Sequence, residues 1–210
     1  MSKPKLIIMD FDRTIFNAAF YTEFLALLTS RRLLDAATNQ RIVDLLADTN
    51  ISLDLMDVLR RCHLNVVQAL ELARTALDPN DFLYDDVSPF LERGRDDKLV
   101  VMTTGVRRWQ MIKLDFCASL QPYPKIILQD NKGEYVRDTL LQSQKGISIQ
   151  DYEGQWFSEL VLIDDRVDSL TPLVGRDRVS LWHLERPDAK YRRDRDYDGI
   201  THITSLKEII

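Results

Sequence analysis

Four short apolar runs rich in Ile, Val and Leu punctuate the chain: Leu6–Met9, Leu99–Met102, Ile126–Leu128 and Leu160–Ile163. None alternates with polar residues as a strand with one wet face would. Each therefore predicts a strand buried on both faces, the mark of a parallel sheet covered by helices. Val179–Leu184 is a fifth candidate. Ile200–Ile203 followed by Ser205–Ile210 reads as a short last strand, a Ser N-cap and a helical turn. Between the first and second runs the period changes. Phe16–Arg32, Ala36–Ala47, Leu53–Arg61 and Asn65–Leu77 carry apolar residues at spacings of three and four, with Ile42, Leu45 and Leu46 on one helical face. The expected fold class is α/β, a parallel sheet with helices on both faces plus an all-helical insertion after its first strand. We place the insertion at 17–80 and the core at 1–16 and 81–210.

Punctuation refines these boundaries. Asp78-Pro79-Asn80-Asp81 is a turn signal at the end of the insertion, and Ser88-Pro89 predicts a helix with Ser at the N-cap and Pro at its first position. Asp130-Asn131-Lys132-Gly133, set within Ile126–Val136, predicts a hairpin. Arg186–Asp198 mixes both charges without apolar periodicity and predicts a solvated loop.

Composition narrows the class. A chain of 210 residues makes about one domain, and 45% apolar with 29% charged residues is ordinary for a globular protein. A net charge of −5 speaks against an extended nucleic-acid or anionic-lipid surface. Two cysteines, Cys62 and Cys117, make no disulfide framework and read as small buried hydrophobes of a reducing compartment. The basic start, Met1–Lys5, precedes a four-residue apolar run, whereas a secretory core needs about 7–15 residues and a membrane span about 20. The expectation is a cytoplasmic protein with neither nucleic-acid nor membrane partners; nothing in the sequence speaks to its oligomeric state.

Chemistry concentrates where the buried runs end. Leu6-Ile-Ile-Met runs into Asp10-Phe-Asp12-Arg-Thr14, and Leu160-Val-Leu-Ile runs into Asp164-Asp165-Arg-Val-Asp168. If these strands are neighbours, carboxylates crowd one sheet edge and repel one another unless a hard cation such as Mg²⁺ joins them. Leu99-Val-Val-Met ends in Thr103-Thr104-Gly105, hydroxyls and flexible backbone able to hold a phosphoryl oxygen at the same edge. Other residues read more plainly. His63 belongs to a solvated face, His183 and His202 are core or edge histidines because no second His stands at ligand spacing, and Trp109, Trp156 and Trp182 are core.

The order of an apolar strand with Asp-x-Asp-x-Thr, a strand with Thr, a Lys and a strand with Asp-Asp resembles the haloacid dehalogenase (HAD) superfamily of aspartate-nucleophile phosphohydrolases, over nearly the whole chain. The resemblance implies a Rossmann-like core with a C1-type helical cap and a Mg²⁺-dependent phosphatase acting on a small phosphorylated metabolite. Asp10 would be the nucleophile and Asp12 the general acid and base. Asp10, Asp12 (through its backbone carbonyl) and Asp165 would hold Mg²⁺, with Asp164 or Asp168 assisting. Thr103 is the choice for the phosphoryl oxygen, with Thr104 close behind. Lys145 is preferred as the family's lysine over Lys132. Arg13 departs from the pattern, since many members have Gly there. A phosphomutase of the same fold and a non-catalytic binding or regulatory domain are the alternatives.

Overall fold

The computed structural model describes residues 4–47, 55–93, 97–141, 147–149, 152, 155–189 and 196–209. Six strands, β1 (Leu6–Met9), β2 (Lys98–Thr104), β3 (Lys125–Leu128), β4 (Leu160–Asp164), β5 (Val179–Leu184) and β6 (Thr201–Ile203), form one sheet in the order β3-β2-β1-β4-β5-β6. Every pairing is parallel. Each apolar run became a strand, and β1 and β4 are buried throughout because helices cover both faces. The chain fills one half of the sheet, through β2 and β3, and then returns past β1 to build the other half. The order therefore reverses beside β1, where an open α/β sheet leaves a crevice at its carboxyl edge.

The segment between β1 and β2 is helical as its period demands: α1 (Ala19–Ser30), α2 (Ala36–Ala47), α3 (Leu55–Arg61) and α4 (Val66–Ala76). The Asn65 side chain caps α4 by accepting from the Gln68 N–H. The chain enters and leaves this segment side by side, with Asn17 N–H donating to Phe82 O at 2.7 Å and Tyr84 N–H to Ile15 O at 3.3 Å. Phe20 of α1 packs on Phe82 (5.2 Å between centroids) and on Phe116 (5.8 Å), and Phe11 stacks on Phe16 (4.9 Å). These helices thus share one hydrophobic core with the sheet face formed by Ile7, Met9, Leu99, Val101 and Ile163. The opposite face, with Leu6, Ile8, Val100, Met102 and Leu162, packs beneath Val136 and Leu140.

Among the described residues four α-helices follow: α5 (Val87–Arg93), α6 (Arg107–Phe116), α7 (Lys132–Tyr135), which continues as a wider turn through Leu140, and α8 (Val167–Leu170). Several expectations are corrected. The hairpin at 126–136 does not form; β3 ends at Leu128 and Asn131 caps α7 instead, accepting from the Glu134 N–H at 3.2 Å. Helix α5 begins ahead of Ser88, since Phe90 N–H already donates to Asp86 O. Pro89 is tolerated there because a first-turn N–H has no partner within a helix. Arg186 is buried rather than solvated. Its guanidinium donates to both Asp86 carboxylate oxygens (2.7 and 2.8 Å) and to Thr14 O (2.8 Å). Asp86 also accepts from Ser205 Oγ and Leu206 N–H, so it ties the exits of β5 and β6 to α5. Trp156 and Leu45 lie at the surface, while Trp109 is core and Cys62 only half-buried. No helix among the described residues is long and apolar enough to cross a membrane.

Candidate active site

Asp10 leaves β1 at the reversal point, between the ends of β2 and β4. Its N–H donates to Ile163 O at 2.9 Å, which extends the β1–β4 ladder and sets the carboxylate beside Asp164 and Asp165. The three acids are buried, and one carboxylate oxygen from each lies within 4.8 Å of the others. The Lys132 ammonium, itself buried, donates to Asp10 Oδ1 and, at 2.6 Å, to Asp164 Oδ2. Burial pushes the Asp10 carboxyl up to about 7; Lys132 opposes the rise and the Asp164 charge adds to it. Asp165 is raised for the same reasons, burial first and then its two acidic neighbours. Burial disfavours the Lys132 charge, but the attraction of Asp10 and Asp164 outweighs it and keeps the ammonium protonated. Three carboxylates against one ammonium leave an excess of negative charge. Asp10 Oδ2 is moreover buried without a hydrogen-bond partner among the described residues. An orphaned oxygen among crowded hard donors fits Mg²⁺.

Why Lys132 reaches this cluster is a matter of packing. The Asn131 amide donates to Asp168 O at 2.9 Å, docking the start of α7 onto the turn after β4. A Cβ at position 133 would stand 2.2 Å from Ser169 O, so only glycine permits that approach. Asn131-Lys132-Gly133-Glu134, read above as a turn, also has the spacing of a helix cap with Glu at its third position, which could have revealed α7. Lys145 lies outside the described residues.

Asp12 faces a different partner. Its carboxylate accepts from the fully buried Lys113 ammonium and, at 2.9 Å, from Gln110 Nε2, both on α6. Lys113 also donates to Tyr21 Oη of α1 at 3.0 Å and sits over the rings of Phe11 and Tyr21, 5.4 Å from each centroid. Burial would raise the Asp12 carboxyl, but the Lys113 charge and the bonds from Lys113 and Gln110 outweigh it and hold it below its ordinary value. Neither Lys113 nor Gln110 was expected at the site. Two polar residues at i and i+3 on the buried face of a helix were the available signal.

The remaining residues divide. Arg13 adopts φ 62°, the left-handed region that favours glycine, and so bears a conformational cost. Thr14 is buried, and its hydroxyl finds no partner among the described residues. Thr103 is buried and Thr104 half-buried at the end of β2. By alternation Thr104 shares the face of Val100 and Met102, on which α7 packs, and Thr103 the face of Val101. Asp168 stands apart from the acid cluster, exposed and paired with Arg166 at 2.6 Å. His63 is exposed and ends α3 at φ 59°.

Comparison by sequence finds no matching family model and no matching curated relative. Comparison by structure finds the fold of HAD-like hydrolases. A Burkholderia xenovorans protein assigned as a haloacid dehalogenase-like hydrolase aligns with TM-score 0.69 at 12% identity, over 97% of this chain and 94% of that one. The HAD-hydrolase YfnB of Bacillus subtilis, bound to magnesium, gives TM-score 0.56 at 16% identity over 99% and 97%. A Thermotoga maritima protein assigned as a β-phosphoglucomutase gives 0.50 at 13% identity over 97% and 95%.

Proposed function

We propose that this chain, which has the fold of the HAD-like hydrolases, is a Mg²⁺-dependent phosphatase that acts on a small phosphorylated metabolite through an aspartyl-phosphate. The observation that carries the reading is the buried Asp10 carboxylate at the sheet's reversal point. It is gripped by Lys132, grouped with Asp164 and Asp165, and followed two residues on by Asp12. In the first half-reaction an Asp10 oxygen forms a bond to phosphorus. The ester P–O bond breaks with its electron pair leaving on oxygen, and that oxygen takes a proton from the Asp12 carboxyl. In the second, Asp12 as carboxylate removes a proton from water, which attacks the same phosphorus; phosphate leaves and Asp10 is restored. Asp10, Asp165 and the Asp12 backbone carbonyl would hold Mg²⁺, with Asp164 beside them, and the ion would offset charge on the transferring group. Thr103, or Thr104 on the opposite face of β2, would donate to a phosphoryl oxygen.

Lys132 opposes the protonation of Asp10 that burial favours, and so supports the anion a nucleophile must be. Lys113 favours the carboxylate form of Asp12, which suits the water step. Asp12 must carry a proton when the ester bond breaks, so that it can pass it to the leaving oxygen. Displacement of a halide would need no proton donor, and an acid at position 12 therefore supports ester hydrolysis. The test is release of inorganic phosphate from 4-nitrophenyl phosphate and a panel of phosphorylated metabolites, with Mg²⁺ or with EDTA. Mg²⁺-dependent release that vanishes in Asp10→Asn is expected. Residual turnover in Asp10→Asn would remove the nucleophile, and transfer to a second sugar hydroxyl in place of release would favour the phosphomutase reading.

A further inference from the structure

Three register-matched residues form a row across the carboxyl edge of the sheet: Asp164 on β4 opposite His183 on β5, and His183 opposite His202 on β6. Register partners in a parallel pair project from the same face. Glu185 stands two positions beyond His183, and its N–H donates to Ile203 O at 2.9 Å, so the β5–β6 ladder continues and returns its side chain to that face. One donor atom each from His183, Glu185 and His202 lies within 4.8 Å of the others. The two histidines, called core or edge residues from sequence, therefore meet a third donor through the sheet and not through spacing along the chain.

The imidazole geometry suits a shared ion. His183 Nε2 lies 3.1 Å from Asp165 O, and a carbonyl can only accept, so Nε2 carries the proton and Nδ1 holds the lone pair. That Nδ1 is 3.2 Å from His202 Nδ1. Two nitrogens bound tetrahedrally at about 2.0–2.1 Å from zinc stand about 3.3 Å apart. A ligand histidine whose other nitrogen donates to a backbone carbonyl is the arrangement that fixes ring and tautomer.

We propose that His183 Nδ1, His202 Nδ1 and the Glu185 carboxylate form a second metal centre, of the Zn²⁺ class, separate from the all-oxygen cluster at Asp10. Two imidazoles and one carboxylate suit a borderline ion, whereas carboxylates alone suit Mg²⁺. The ion would fasten β6, a three-residue edge strand, to β5. Through the His183–Asp165 bond it would also brace the backbone that carries the candidate Mg²⁺ ligand. The proposal does not depend on the phosphatase reading.

The probe is Co²⁺, and then Zn²⁺, added to chelator-treated full-length protein in excess Mg²⁺, which competes for the acid cluster. Expected is one equivalent of Co²⁺ with the intense visible bands of a four- or five-coordinate ion, in wild type and equally in Asp165→Asn, whose backbone carbonyl is untouched. Zn²⁺ affinity should fall at least about 100-fold in His202→Gln and in Glu185→Gln, since even the outer partner of a ligand is worth about 10–100-fold. Glu185 is half-buried, and its variant decides the matter should His202→Gln not fold. Absence of the bands in wild type, unchanged affinity in a folded ligand variant, or loss of the bands in Asp165→Asn would each overturn the proposal.

Discussion

Lys132→Met removes the one ammonium that the described structure places against Asp10 and Asp164 while keeping a side chain of similar length. Removing one partner of a buried ion pair costs about 3–5 kcal/mol, because the abandoned charge stays out of water. For a chain of this size about 2–4 °C of melting temperature accompanies each kcal/mol, so a fall of about 6–20 °C is expected without metal. The sign of the pH dependence follows from Asp10. Its carboxyl titrates near 7 in the folded protein, above its unfolded value of about 3.9. The metal-free folded state therefore binds the extra proton between about pH 4 and 7, and stability drops as pH rises through that window. Without Lys132 the Asp10 carboxyl rises further, so the deficit should be largest at pH 8 and shrink toward pH 5 as that carboxyl protonates. Melting curves of both proteins in EDTA at the two pH values, repeated in Mg²⁺, provide the assay, and Mg²⁺ should narrow the gap. A loss below about 1 kcal/mol, or one equal at pH 5 and pH 8, would refute the reasoning.

Other perturbations test the same architecture. Gly133→Ala must push α7 away from Ser169 O and carry Lys132 with it, and a displacement of about 1 Å costs on the order of 100-fold in kcat; unchanged kcat would show that the lysine needs no such approach. Lys113→Met should lower kcat by up to about 10²–10⁴-fold with KM little changed, since Lys113 touches Asp12 and the acid–base step is worth that range; a rise in KM alone would place Lys113 in substrate binding. Asp86→Ala strands the buried Arg186, whose Nε already lacks a partner among the described residues, and should cost about 3–5 kcal/mol in urea unfolding, with a loss below about 1 kcal/mol contradicting the pairing. Burial opposes the Asp86 charge, but Arg186 and Ser205 outweigh it and lower the pKa, so the advantage of wild type over Asp86→Asn should hold above about pH 4 and fade as pH falls below it.

Much of this protein was legible along the chain, for a physical reason. A strand buried on both faces must be apolar without interruption, a helix on a core must repeat its apolar residues every three or four positions, and both demands are local. Leu6–Met9 and Val179–Leu184 accordingly became strands with the bounds expected, and Ala36–Ala47 a helix with the bounds expected. The acids at the strand ends were legible too, because the carboxyl edge of a parallel sheet is where chemistry gathers. What the chain could not announce was partnership. Asn131-Lys132-Gly133 serves a turn or a helix cap equally well, and the packing of Gly133 against Ser169 O decided for the helix and so for Lys132 at Asp10. Lys113 on an apolar helix face would be an error without the carboxylate of Asp12. His183 and His202 show no ligand spacing, yet parallel register brings their nitrogens to 3.2 Å. Periodicity and strand-end chemistry are properties of a segment and can be read from it. Register, close approach and the pairing of buried charges belong to two segments at once, and only the tertiary structure brings those segments together.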